Sequence, residues 1–137
     1  MRAKARQNDP ESANMQLEVN PDTVRFIAER MRVFQAKEGV TFPDSGDDDW
    51  AQQVLADHAD DPVLIEIREA VEELAPDQQA ELVALMWIGR GDFDAEEWET
   101  VRDQARQSWN ERTADYLIGT PLVADFLEEG LDLIGFG

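Results

Sequence analysis

Arg90, Asp92, Arg112, Asp115 and Tyr116 are the residues whose types and spacing come nearest to a chemical site in this chain. At 3.6 residues per turn, Arg112 falls on the same side of a helix as Trp98, Val101, Ala105, Trp109 and Tyr116, with Asp115 at the edge of that side. A guanidinium on an apolar face needs fixed acceptors, because an unpaired buried charge is very costly. Asp115, and Asp92 and Asp94 in the preceding turn, are the candidates. Two readings stay open. The cluster either ties the central turn to a long helix by charge-assisted bonds, or forms a small polar pocket that receives an anionic or polar ligand.

Nothing in the spacing identifies a reaction. There is no Ser/His/Asp arrangement, phosphate-cradling glycine loop or helical metal-ligand pattern. The chain has no Cys, which excludes disulfides, thiolate nucleophiles and thiolate metal sites. Its one His, His58, lacks nearby partners at metal spacing. The run Asp44-Ser-Gly-Asp-Asp-Asp lacks the alternating ligands and closing Glu of a calcium loop. No catalytic residue, metal ligand or cofactor is assigned, and the expectation leans towards a protein that is not an enzyme.

Charge is the second feature. The chain of 137 residues carries a formal net charge of −19, yet 42% of it is hydrophobic, which suits a folded domain rather than an acidic disordered chain. Between Asp44 and Glu81 there are thirteen acids and a single base, Arg68. Such a balance argues against direct nucleic-acid binding, which needs clustered Lys and Arg. It suits a basic protein partner, and salt adaptation or solubility would explain it as well. The longest apolar run, Leu82 to Ile88, is far below the ~20 residues that span a bilayer, so the expectation is a cytoplasmic protein without a membrane segment.

The elements that must position these residues read as helices. Residues 1–19 lack apolar period and are expected to be a mobile polar and basic tail, with a single all-helical domain over 20–137. Asn20-Pro21 and Asp61-Pro62 each place a capping residue before a proline at the first helical position. Val24, Ile27, Met31 and Phe34 share one face of the first helix, and Gly39 stands where it would end. A short helix through Trp50, Val54 and Leu55 follows. Leu64, Ile67, Val71 and Leu74 form the core face of the next, with Glu66, Glu69, Glu72 and Glu73 opposite and Ile65 among the acids. The helix from Gln79 to Ile88 is apolar on almost every side and should be the centre of the bundle. A long helix capped by Asp94 then runs past Tyr116, and Thr120-Pro121 opens the last helix. That helix buries Val123, Leu127, Leu131 and Ile134 and exposes Asp125, Glu128, Glu129 and Asp132. The fold class is all-α, a compact bundle of about five or six helices around a central apolar one.

Two blocks, Glu81-Leu-Val-Ala-Leu-Met-Trp-Ile-Gly-Arg-Gly-Asp and Arg112-Thr-Ala-Asp-Tyr-Leu-Ile-Gly-Thr-Pro-Leu-Val-Ala-Asp-Phe-Leu-Glu-Glu-Gly, flank Trp98. Together they resemble a family of uncharacterised proteobacterial proteins known only as a domain of unknown function, over roughly residues 62–135. The resemblance implies a bacterial, cytoplasmic protein and carries no activity, cofactor or catalytic residue.

The leading expectation is therefore a protein that acts through protein–protein interaction. Its candidate contact surfaces are Ile65, Glu66, Glu69 and Glu73 on one helix and Asp125, Glu128, Glu129 and Asp132 on another. Ligand binding or an unassigned activity at the Arg90–Tyr116 cluster is the alternative, and mimicry of nucleic-acid charge towards a basic protein is a third reading. Exposure of Phe26, Val33 and Ile65 would suit a homo-oligomer, although no heptad seam demands one.

Overall fold

The computed structural model describes residues 17–37 and 48–136, and among these it contains seven helices and no strand. They are α1 (Pro21–Gln35), α2 (Asp48–Asp57), α3 (Pro62–Glu72), α4 (Pro76–Arg90), α5 (Trp98–Gln107), α6 (Thr113–Ile118) and α7 (Val123–Leu133), with one 3-10 turn at Ala95–Glu97. Gly39, most of the Asp44–Asp49 run and the tail up to residue 16 lie outside the described residues.

The start signals act as their chemistry dictates. Asn20 Oδ1 accepts the Asp22 amide at 2.8 Å, and Asp61 Oδ1 accepts the amides of Val63 and Leu64 at 2.8 and 3.4 Å. Each satisfies amides that a helix N-terminus leaves orphaned. Asp61 also receives Lys37 Nζ at 2.7 Å, which joins the end of α1 to the start of α3. Lys37 first, helped by the two amides and opposed by burial, holds the Asp61 carboxyl below the ordinary carboxylate range. A depressed folded value means that this stability is present above the unfolded value of 3.8 and is lost as pH falls through the folded one. Asp61→Ala should cost about 1–2 kcal/mol at neutral pH. Asp61→Asn keeps a cap and should lose mainly the pH-dependent part, read as a smaller change in urea-unfolding stability between pH 7 and pH 3.

α4 is the axis of the molecule. Leu82, Ala84, Leu85 and Met86 are fully buried, and the helix packs most extensively against α7 and then α5, as expected of one that is apolar all round. Gly91, at φ 94°, closes it, with the amides of Gly91 and Asp92 returning to the carbonyls of Ile88 and Trp87. α7 crosses α4 with no side chain between the backbones at two points. A Cβ on Gly89 would stand 1.8 Å from the Phe126 carbonyl oxygen, and one on Gly130 2.2 Å from that of Leu85. α1 covers α7 and α3 with Val24, Ile27, Met31 and Phe34, all fully buried. Gln35 Nε2 donates to the carbonyls of Ile118 and Thr120 and ties α1 to the turn before α7.

Three expectations are corrected. The segment before α1 is not all tail: Val19 is fully buried, and the backbone of Glu18 and Val19 is bonded to α4. The long helix after Asp94 is two helices. Asn110 Oδ1 takes the Arg112 amide, Ser108 Oγ donates to the Gln104 carbonyl and Thr113 Oγ1 to the Asn110 carbonyl, so the polar side chains of Ser108–Thr113 substitute for the helical ladder. Thr120 does not cap α7; its hydroxyl donates back to the Tyr116 carbonyl, and α7 begins after Leu122 in a left-handed conformation, φ 61°.

Candidate functional site

The break between α5 and α6 moves the predicted polar cluster apart. Arg112 becomes the residue preceding α6 and is exposed rather than facing the core, because five non-helical residues rotate everything after Gln107 out of phase with α5. Asp115 pairs instead with Arg68 of α3 at 3.0 Å. Arg90 pairs with Asp92 at 2.7 Å. Burial opposes the Arg90 charge, but Asp92 and then Tyr116 outweigh it and hold the guanidinium above its ordinary value. Of the five predicted residues, Arg90, Asp92 and Tyr116 thus stay together, while Asp115 and Arg112 go elsewhere.

The buried ion pair of this fold lies at residues that the spacing argument passed over. Glu81 of α4 is 0% exposed; its carboxylate accepts the Glu18 amide at 2.9 Å, the Val19 amide at 2.8 Å and Arg102 Nη1 at 3.4 Å. Arg102 also donates to Glu99 at 2.7 Å and lies over the Trp98 ring. Desolvation pushes the Glu81 carboxyl above the ordinary carboxylate range, against the pull of the two amides and of Arg102. The signal was an acid one turn ahead of Leu85 on the core face of α4. The cluster links α4 and α5 to the extended segment before α1.

An open cleft of about 250 Å³ lies between α4, α5 and α6, lined by Val83, Trp87, Ala105, Ser108, Trp109, Asn110, Thr113 and Tyr116. Tyr116 and Trp109 are half-exposed here, and Trp87 is partly buried. The indole of Trp87 donates to the Tyr116 hydroxyl at 3.0 Å, and that of Trp109 to Gln79 Oε1 at 2.9 Å. The break at Ser108–Arg112 creates this cleft: it carries Trp109 off the line of α5 and lets α6 set Tyr116 against α4.

The predicted acidic faces divide in the same way. Glu66 is paired with Arg30 at 3.6 Å, and Asp125 and Glu128 both hold Arg32, at 2.7 and 3.0 Å. Glu128 first, then Asp125, raises the Arg32 guanidinium above its ordinary value against the cost of burial. Glu69 and Glu72 on α3, Glu73 at its C-cap, and Glu129 and Asp132 on α7 are exposed and have no ion pair among the described residues. Ile65 stays exposed among the α3 acids, as do Phe26 and Val33 on α1. His58 is half-buried, its Nδ1 2.9 Å from the Val54 carbonyl and its ring edge-on to Phe34, a structural placement. No group of three potential metal ligands occurs among the described residues, and none of their helices is long and apolar enough to cross a membrane.

No curated protein and no solved structure matches this chain. A family match covers residues 65–136, which hold the cleft, the crossing of α4 on α7 and both members of the Glu81–Arg102 pair, and it shows that the chain belongs to the family described as Protein of unknown function (DUF3775).

Proposed function

We propose that the protein is a non-enzymatic interaction module of the bacterial cytoplasm that docks a basic protein against the outer faces of α3 and α7. The observation that carries this reading is the distribution of charge after folding. Arginines of the bundle take Glu66, Asp92, Asp115, Asp125 and Glu128, whereas Glu69, Glu72, Glu73, Glu129 and Asp132 stay exposed with no cation set against them among the described residues. Like charges four residues apart, as at Glu69 and Glu73, cost a few tenths of a kcal/mol each. Folding tolerates them, and an approaching cationic surface gains from them in both rate and specificity.

Glu69→Lys with Glu73→Lys tests the reading, because both residues are exposed and neither is in an ion pair of the described fold. Affinity capture from nuclease-treated lysate of the source cell should retain a discrete basic protein at low salt and release it at high salt. The double variant should lose that protein with its helical circular dichroism unchanged. Equal capture by the double variant would reject the α3 face. The nuclease treatment separates a protein partner from nucleic acid bridging the two.

A further inference from the structure

The cleft between α4, α5 and α6 is walled by three aromatic side chains, Trp87, Trp109 and Tyr116. Both indole N–H groups are spent inside the protein, Trp87 on Tyr116 and Trp109 on Gln79. The hydroxyl hydrogens of Ser108 and Thr113 are spent on the carbonyls of Gln104 and Asn110. What these four side chains still offer is two indole faces and the lone pairs of two hydroxyl oxygens. The Tyr116 ring adds a third aromatic wall. Aromatic faces carry negative quadrupole potential, and oxygen lone pairs accept hydrogen bonds. Asn110 Nδ2 and the Tyr116 hydroxyl hydrogen add donors to the lining, so it is the three aromatic faces, rather than a bias towards acceptors, that favour a cation. Arg90, which bears on Tyr116, is already matched by Asp92. The net charge of −19 works in the same direction.

We infer that the cleft is the anchor site for a single Lys or Arg side chain of the basic partner, its stem lying along Val83 and Ala105 and its charged head among Trp87, Trp109 and Tyr116. The identity of the occupant rests on the interaction reading above; the preference for a cation rests on the cleft itself. Half-exposed Trp and Tyr in a concave site are the usual composition of the few interface residues that dominate binding energy. Cation–π contact in a partly desolvated site adds to this.

The test uses the full chain and side-chain probes. The N-acetyl methylamides of lysine and arginine are titrated against the 15N-labelled protein, with the norleucine and glutamate analogues as neutral and anionic controls. The cationic probes should move the indole N–H resonances of Trp87 and Trp109 in a saturable way, and Trp109→Leu or Tyr116→Leu should weaken this about tenfold. Both side chains are half-exposed, and two independent variants guard against one that misfolds. An equal response to norleucine would make the cleft a plain apolar pocket and overturn the inference. A stronger response to glutamate, or no response to any probe, would also overturn it. Partner capture separates the two proposals. If Trp109→Leu leaves capture intact, the cleft inference fails and the interaction reading stands. If no basic protein is captured but the cationic probes still bind, the interaction reading fails and the cation preference of the cleft stands.

Discussion

Gly130→Ala should destabilise the domain by about 3 kcal/mol or more, at the upper end of what overpacking costs. The added methyl would lie 2.2 Å from the Leu85 carbonyl oxygen and 2.9 Å from its carbon, and these are backbone atoms of the central helix that no rotamer change can move aside. Relief requires α7 to move off α4, which loosens the packing of Leu127 and Leu131, both buried in the core. For a chain of this size the loss corresponds to roughly a 10 °C fall in Tm. Gly89→Ala, 1.8 Å from the Phe126 carbonyl oxygen, should be at least as damaging. Gly91→Ala supplies the contrast. Its new Cβ meets nothing within 4 Å, and only the left-handed backbone at φ 94° opposes it, a cost of about 1 kcal/mol. Urea unfolding of the three variants should rank Gly91→Ala as the mildest; the reverse order would mean that the two helices are not held by close approach.

Glu81→Leu should cost about 3 kcal/mol, because it leaves the amides of Glu18 and Val19 without their acceptor and deprives Arg102 of its buried counter-charge. Hydrogen exchange offers a local readout: the Glu18 and Val19 amides should lose protection first. Arg102→Met added to Glu81→Leu should cost less than the sum of the two single changes, since it removes a cation that has lost its buried partner and keeps only the exposed Glu99. The pH dependence has a definite sign. Burial raises the folded value of Glu81 above its unfolded value of 4.5, so the stability linked to this group is full below 4.5 and falls as pH rises through the higher folded value. Glu81→Gln keeps an oxygen for the amides and should flatten that slope while Asp61, titrating lower, is unaffected. An unchanged slope would show that Glu81 does not titrate in that interval.

The sequence was most informative where one local rule decides the outcome. Asn20-Pro21 and Asp61-Pro62 start helices because cap and proline act on the same few amides whatever surrounds them, and the periodic Val24–Phe34 and Leu64–Val71 faces are buried as spaced. The break at Ser108–Arg112 was harder to see, since Trp98, Val101, Ala105, Trp109 and Tyr116 keep helical spacing across it and no Gly or Pro intervenes. Its signal was Ser108 with Asn110, two side chains that compete with the helix for backbone groups. Missing the break put Arg112 in the core and joined it to Asp115, and it concealed the aromatic cleft that the break produces. Leu122 at φ 61° carried no sequence signal, because leucine is not among the residues that favour the left-handed region. The Glu81 cluster also draws on backbone amides some sixty residues away in the chain, which no helical periodicity can reveal.

The clamp on the Glu18 and Val19 amides also bears on what the matched segment could do if isolated from the rest of the chain. The family match begins at residue 65, so Glu81 and Arg102 lie inside it, while the amides they hold and the whole of α1 lie outside. The shared segment is therefore not a portable folding unit in this protein: cut out alone, residues 65–136 would carry a buried carboxylate without its donors and an α7 stripped of its cover.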